Sequence, residues 1–179
     1  MTLVYPGSFD PVTTGHINIA RRAKNLADRL VVAVLDNPNK QTLFTVRERI
    51  SFLEEAFDGD GIEVTAFSGL LVEFVRQQQA DAIVRGLRSA KDFENENAYA
   101  ANNYALSHAF FKIIQGREQN ALTYTETIFI PASPALSYVS SSIIREAAVH
   151  IYKNKSDDSF IAEHVPPSAR AALRNKFER

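Results

Sequence analysis

The stretch T-L-V-Y-P-G-S-F-D-P-V-T-T-G-H, Thr2 to His16, decides how this chain is read. A short apolar run (Leu3, Val4, Tyr5) reads as a buried strand that stops at Pro6-Gly7. A turn-rich loop follows through Ser8, Asp10, Pro11, Thr13, Thr14 and Gly15. His16 then opens a helical pattern whose apolar positions Ile19, Ala20, Ala23, Leu26 and Ala27 lie three and four apart. Strand, glycine-containing loop and helix start make the α/β phosphate-site layout, where free backbone N–H groups at a helix N-terminus face an anion. A histidine in the first turn adds a directed donor, and the helix dipole disfavours extra positive charge on its ring. Taken alone, a histidine near a helix start is more often a surface or capping residue.

Downstream the alternation repeats. Leu30 to Leu35 is a continuous apolar run, typical of a parallel strand covered on both faces, and it ends in the turn Asp36-Asn37-Pro38-Asn39-Lys40. Thr45 and Glu48 have capping-box spacing ahead of a helical face made by Val46, Ile50, Leu53 and Phe57. Ile62 to Phe67 alternates as a strand, and Ser68-Gly69 leads into a helix carrying Leu70, Leu71, Phe74 and Val75. Ala82 to Val84 is a short interior strand stopped by Arg85-Gly86, and Ser89 caps a longer helix through Phe93, Asn97, Ala100 and Tyr104. From His108 to Tyr124 the pattern weakens, and Gly116 with the polar run Arg117 to Asn120 predicts a loop between two helical pieces. Thr127 to Ile130 is the last strand, Ser140-Ser141-Ser142 opens a helix with Ile143, Ile144 and Ala148, and a polar stretch from Lys153 to Ser159 precedes Pro166-Pro167 and a short terminal helix. The expectation is a doubly wound parallel five-stranded Rossmann-like sheet with helices on both faces and a C-terminal helical extension, all one domain over residues 1–179.

Composition narrows the chemistry. With 179 residues and 45% hydrophobic content the chain can bury one substantial core. A formal charge of −1 argues against a broad nucleic-acid or anionic-membrane surface. There is no cysteine, which excludes disulfides, thiolate catalysis and cysteine metal sites. No apolar run approaches the roughly 20 residues of a membrane span. The first ten positions read as a strand start rather than a signal sequence, so a cytoplasmic protein is expected.

Polar residues recur just after the predicted strands: Ser8 and His16, then Lys40, then Arg85 and Arg88, then the serine triplet. In an open α/β sheet those positions converge on one crevice. Arginine forks suit phosphate oxygens, and serines at a helix start offer hydroxyl and backbone donors. Singly, each basic residue reads as a solvated surface charge and the serines as a cap; their shared place in the topology supports a phosphate site. Neither G-x-x-x-x-G-K-[ST] nor G-x-G-x-x-G is present, which argues against a P-loop NTPase or an ordinary dinucleotide-binding protein. Glu96, one turn after Phe93, is either pinned by an arginine or exposed.

These motifs carry a resemblance. G-S-F-D-P-V-T-T-G-H resembles the T/H-x-G-H signature of the nucleotidylyltransferase superfamily, and S-S-S-I-I-R resembles its second signature. R-G-L-R-S-A-K-D-F-E-N-E, Arg85 to Glu96, is similar to the R-G-[LI]-R-x-x-x-D-F-E-x-E stretch of the phosphopantetheine adenylyltransferase family. Thr13 stands where nicotinate-mononucleotide enzymes usually have a first histidine, and N-P-N-K, Phe44-Thr45 and V-P-P-S-A-R-A-A-L match the family too.

The resemblance implies adenylyl transfer from ATP to 4′-phosphopantetheine, giving dephospho-coenzyme A and pyrophosphate. By position it implies that His16 donates to the α-phosphate, that Lys40 and Ser8 hold the pantetheine phosphate, and that Arg88 and Ser140, Ser141 and Ser142 take the β- and γ-phosphates. Arg85 and Leu71 map onto phosphopantetheine contacts. Phe9, Gly86, Leu87 and Glu96 map onto ATP contacts, and Leu136, Ser137, Tyr138 and Val139 lead the loop that covers the nucleotide. Magnesium is expected to arrive with ATP, coenzyme A or its dephospho form to act as product or inhibitor, and the chain to assemble as a homohexamer. The sequence departs from the family at Asn95, usually tyrosine, in the loop P-A-S-P-A-L-S-Y-V, and in extra residues around His108 to Thr123. Two other readings are an adenylyltransferase acting on nicotinate mononucleotide and a paralogue that binds nucleotide without turnover. Thr13 and R-G-L-R argue against the first; His16, Lys40, Arg88 and the serine triplet argue against the second.

Overall fold

A computed structural model describes residues 1–38, 40–115 and 124–178, with backbone alone for 110–115. Its parallel sheet comprises β1 (Thr2–Gly7), β2 (Arg29–Leu35), β3 (Glu63–Phe67), β4 (Ala82–Leu87) and β5 (Glu126–Pro131), in the order β3-β2-β1-β4-β5. The helices are α1 (Thr14–Lys24), α2 (Val46–Ala56), α3 (Leu71–Gln77), α4 (Ala90–Gln115), α5 (Ser141–Lys153), α6 (Ser159–His164) and α7 (Pro167–Phe177). The central strands read as unbroken apolar runs because both faces are covered. Leu3, Leu30, Val32 and Val34 pack on one face with Ile19, Phe52, Leu53, Ile144 and Leu173. Val4, Val31, Ala33 and Ile83 pack on the other with Phe67, Phe74 and Val75. Burying each such Val or Leu contributes about 1.5–3 kcal/mol. Among the described residues no helix is long and apolar enough to cross a membrane.

The order of strands reverses at β1, and there the sheet opens. β1 pairs with β2 along its whole length, from Thr2↔Arg29 to Gly7↔Val34. With β4 it pairs only at Leu3↔Ala82 and Val4↔Ile83. Pro6, which has no N–H, lies just beyond that point, and Arg85 Nη1 reaches across the gap to its carbonyl at 2.9 Å. Two strands run past their expected ends. Pro6-Gly7 belongs to β1, and Arg85-Gly86 does not stop β4, because β5 continues the ladder through Arg85↔Phe129, Gly86↔Ile130 and Leu87↔Pro131. Gly86 packs closely there: a Cβ would lie 3.1 Å from Ile19 Cγ1, so the Ile19 side chain would have to give by a few tenths of an ångström. Helix α1 starts at Thr14 with Thr13 as N-cap, so His16 sits at the third helical position instead of opening the helix.

Two other stretches differ from expectation. The weakening pattern after His108 does not interrupt α4, which runs unbroken for 26 residues, about 39 Å at the α-helical rise. The expected loop over Gly116 to Asn120 lies outside the described residues. α4 is attached by Phe93 against Phe129, by Tyr104 stacked on Tyr124 at 4.1 Å, and by the Ser107 hydroxyl, which accepts from the Thr125 amide at 3.1 Å. The polar stretch after Lys153 gives way to helix at Ser159, where Ile161 and His164 are buried. Asp158, just before α6, accepts from Arg170, Arg174 and Tyr152, which locks α6 onto α7 and α5.

Candidate active site

The gap between β1 and β4 leads into a cleft of about 250 Å³ at the carboxyl ends of the strands. That is where an open α/β sheet binds ligands, at its topological switch point. Its walls are Thr13, Gly15 and His16 from the start of α1, Arg85, Gly86 and Arg88 from the end of β4, Glu96 from α4, and Leu136, Val139 and Ser140 to Ser142 around the start of α5.

His16 is oriented by its own helix cap. Its Nδ1 accepts the Thr13 backbone N–H at 3.1 Å, which assigns the proton of the neutral ring to Nε2. The Phe9 ring meets it edge-on at 5.2 Å, and Phe9 is itself fixed between Tyr5 and Gly7. Burial first, then the charges of Arg88 and Arg85, push the His16 pKa down to about 4, so near neutral pH the ring is an uncharged, single-proton donor. Positive charge beside it comes from arginines. Arg85 forks onto Glu96, with Nη2 2.8 Å from Oε1. Arg88 donates through Nε to Asp92 at 3.0 Å and remains exposed. Opposite, Ser140 caps α5 by accepting the Ile143 amide at 3.2 Å, and the Ser141 hydroxyl donates to the Pro11 carbonyl at 2.8 Å. The first turn of a 13-residue helix is thereby aimed into the cleft.

Other residues singled out from sequence stand outside these walls. Ser8 and Lys40 meet each other, with Nζ donating to Oγ at 2.9 Å, at the ends of β1 and β2. The Phe9 ring is buried, Leu71 packs against the core cluster that includes Val4, Val31, Phe67 and Ile83, and Leu87 ends β4. Ser137 turns back to Pro134, and Tyr138 points to His164. Asn95 is exposed on α4.

Two polar residues that hold this neighbourhood were missed in the sequence. Asp10 accepts the amides of Leu43 and Phe44 at 2.8 and 2.9 Å, tying the first loop to the second. Arg49, 2% exposed, donates Nη1 to the carbonyls of Ser8 and Leu35, at 2.7 and 3.2 Å. Arg145, the basic residue of the S-S-S-I-I-R signature, joins them by donating to the Asp10 carbonyl at 2.5 Å. Arg49 could have been found as a charge at i+3 from Val46 on an otherwise apolar face; nothing in the pattern marked Asp10.

Comparisons with known proteins identify the family. The cytidylyltransferase-like family matches residues 4–147. The phosphopantetheine adenylyltransferase of Caldanaerobacter subterraneus subsp. tengcongensis is 41% identical over 98% of this chain and 97% of its own length. That of Thioalkalivibrio sulfidiphilus is 45% identical over 81% of this chain and 82% of its own. The chain belongs to the phosphopantetheine adenylyltransferase family. Among solved structures, nicotinic acid mononucleotide adenylyltransferase of Plasmodium falciparum complexed with NaAD superposes with a TM-score of 0.60, covering 98% of this chain and 95% of that one. At 14% identity that likeness speaks for the shared fold alone. Within the phosphopantetheine adenylyltransferase family, then, this chain keeps the two signature helix starts in contact with one cleft and carries a long α4 beside it.

Proposed function

We propose that this chain transfers the adenylyl group of ATP to 4′-phosphopantetheine, making dephospho-coenzyme A and pyrophosphate. The observation that carries the reading is the neutral His16 ring, its Nε2–H in a cleft flanked by Arg85, Arg88 and the start of α5. An oxygen of the acceptor phosphate attacks the α-phosphorus of ATP, and the bond to the β-bridging oxygen breaks as pyrophosphate leaves. The nucleophile comes with the substrate, so the protein's task is alignment and stabilisation of negative charge. His16 Nε2–H donates to the α-phosphate. Arg88 and the Ser140 to Ser142 turn receive the β- and γ-phosphates, and Lys40 with Ser8 holds the acceptor phosphate in line. Gly86, Leu87, Glu96 and the Leu136 to Val139 loop flank the nucleotide, while Phe9 supports the His16 ring. Arg85 and Leu71 face the pantetheine side. Magnesium enters as MgATP, because Glu96 and Asp92 are already engaged by Arg85 and Arg88 and the phosphates are the better ligand.

The proposal extends to setting. Residues 1–179 act as one domain, in the cytoplasm where ATP is made, and six copies assemble, with dephospho-coenzyme A or coenzyme A able to occupy the same cleft. Exposed Tyr99, Tyr104 and Leu106 on α4 favour assembly, which light scattering of the intact protein measures. The deciding assay is pyrophosphate release from MgATP with 4′-phosphopantetheine beside nicotinate mononucleotide. Release with the pantetheine acceptor alone is expected. Release with nicotinate mononucleotide alone, or with neither, refutes the reading.

A further inference from the structure

Tyr138 lies within the segment that forms one wall of the cleft, between Leu136 and Val139, yet it does not line the cleft itself. It is 52% exposed, and its hydroxyl sits 3.1 Å from Nε2 of His164. His164 is the last residue of α6 and is 2% exposed. Its Nδ1 is 2.8 Å from the Phe160 carbonyl, a group that can only accept, so Nδ1 carries the proton. In the neutral ring Nε2 is then the acceptor, and the Tyr138 hydroxyl donates to it. The imidazole is also fixed by its tilted contact with the Phe160 ring at 4.7 Å. α6 in turn is held by Asp158, which accepts from Arg170 and Arg174 of α7 and from Tyr152 of α5.

We infer that His164 is a positioning residue for nucleotide binding, acting through Tyr138 on the cleft wall. The contacts of that wall explain why a remote bond matters. Val139, the next residue, is buried, and its carbonyl lies 3.6 Å from where a side chain on Gly15 would begin, so the wall rests directly on the start of α1. Between β5 and α5 the wall contains a single turn of 3₁₀-helix, Pro134–Leu136, whose polar groups bond within the turn, and its other ties lie at the β5 end, where the Ala132 amide donates to the Leu87 carbonyl at 2.7 Å and Arg22 donates to the Pro131 carbonyl at 2.6 Å. The Tyr138–His164 bond therefore ties this short wall to the C-terminal helices. Losing the tie lowers the population of the seated wall, and apparent nucleotide affinity falls by the same fraction.

The inference rests on the cleft being the ATP site, so the test measures binding and turnover separately. Tyr138→Phe removes one hydroxyl from a half-exposed side chain and keeps the ring, so folding is preserved. ATP dissociation constants by calorimetry, melting temperature, and steady-state kinetics with ATP and 4′-phosphopantetheine are compared for wild type, Y138F, H164Q and the double variant. Y138F is expected to weaken ATP binding roughly two- to tenfold, the worth of one part-exposed hydrogen bond, with acceptor KM and melting temperature unchanged. The double variant is expected to lose no more than the worse single one. Unchanged ATP binding in Y138F overturns the inference, as does a parallel loss of ATP affinity, acceptor affinity and melting temperature. Wild-type protein that binds no ATP overturns the cleft assignment and this inference together, whereas normal wild-type binding with an unaffected Y138F overturns the tie alone.

Discussion

His16→Ala tests the chemistry where the geometry is most specific. The Thr13 amide occupies Nδ1, so the side chain offers the cleft one donor, Nε2–H, held in place by the edge of Phe9. Removing one preorganised donor from a site of developing negative charge costs about 10²–10³ in kcat, or roughly 2.7–4 kcal/mol. Because the interaction strengthens only as charge builds, KM for ATP should change little. The same geometry sets the pH dependence. With its pKa down to about 4, the ring stays neutral throughout an assay between pH 5 and 8, and wild-type turnover should show no inflection from His16 there. Stability carries the linked signature. Between the unfolded value near 6.5 and the folded value near 4 the unfolded chain binds more protons, so stability falls as pH drops through that window. The full shift is worth at most about 3 kcal/mol, less because the ring keeps partial exposure at the cleft. His16→Ala should flatten that slope. Steady-state pyrophosphate release across pH, with thermal melts in the same buffers, measures both. An unchanged kcat in the variant, or a wild-type inflection near pH 6.5 that the variant abolishes, refutes the reasoning.

Lys40→Ala should raise acceptor KM roughly ten- to hundredfold while leaving ATP binding intact, as fits loss of a charged hydrogen-bond donor; equal losses on both substrates in the same kinetics would mean that the two phosphate sites are assigned the wrong way round. Gly7→Ala places a Cβ 2.7 Å from Phe9 Cζ, and the displaced ring no longer supports His16. Overpacking of this kind costs about 1–3 kcal/mol, so chemical denaturation should show lower stability and the assay a lower kcat together. Asp158, held down to about 2 first by its hydrogen bond from Arg170, contributes stability that is complete above its unfolded value near 4 and is lost as pH falls through 2. Asp158→Asn should lower the melting temperature at pH 7 and remove that part of the acid dependence, as melts from pH 7 to 2 would reveal.

Most of the sheet was legible because its central strands are buried on both faces, so Leu3 to Tyr5 and Leu30 to Leu35 are apolar without interruption. What misled were residues whose local meaning is overruled by a neighbour. Arg85-Gly86 and Pro6-Gly7 look like strand stops, yet β5 and β2 supply the pairing that keeps them extended. α6 was hidden because Lys153 to Ser159 is polar and only Phe160 and Ile161 signal a core; three donors converging on Asp158 stabilise it from outside its own sequence. At the site, His16, Arg85, Arg88 and the serines could be gathered from their places after strands. Asp10 could not, because its side-chain partners are backbone amides of another loop, and backbone groups leave no mark on a sequence.

The spacing of R-G-L-R and D-F-E-N-E acquires a physical reason in the way the sheet opens. The crevice exists because β1 and β4 separate after Val4 and Ile83, and a gap in a sheet needs something to hold its sides at a fixed distance. Arg85 does so, with Nη1 on the Pro6 carbonyl and its fork on Glu96, one turn beyond Phe93 in α4. A guanidinium has five N–H donors, and this bracing uses three, on Nε, Nη1 and Nη2. Two remain on a side chain that already lines the cleft, so Arg85 can meet an anionic ligand without releasing the strut. A lysine, with its donors on one atom, could not span the strand and the helix while doing so. Glu96 serves the same end from the other side. It balances one positive charge in a cleft that also holds Arg88, and thereby keeps the arginine fixed in place before any phosphate arrives.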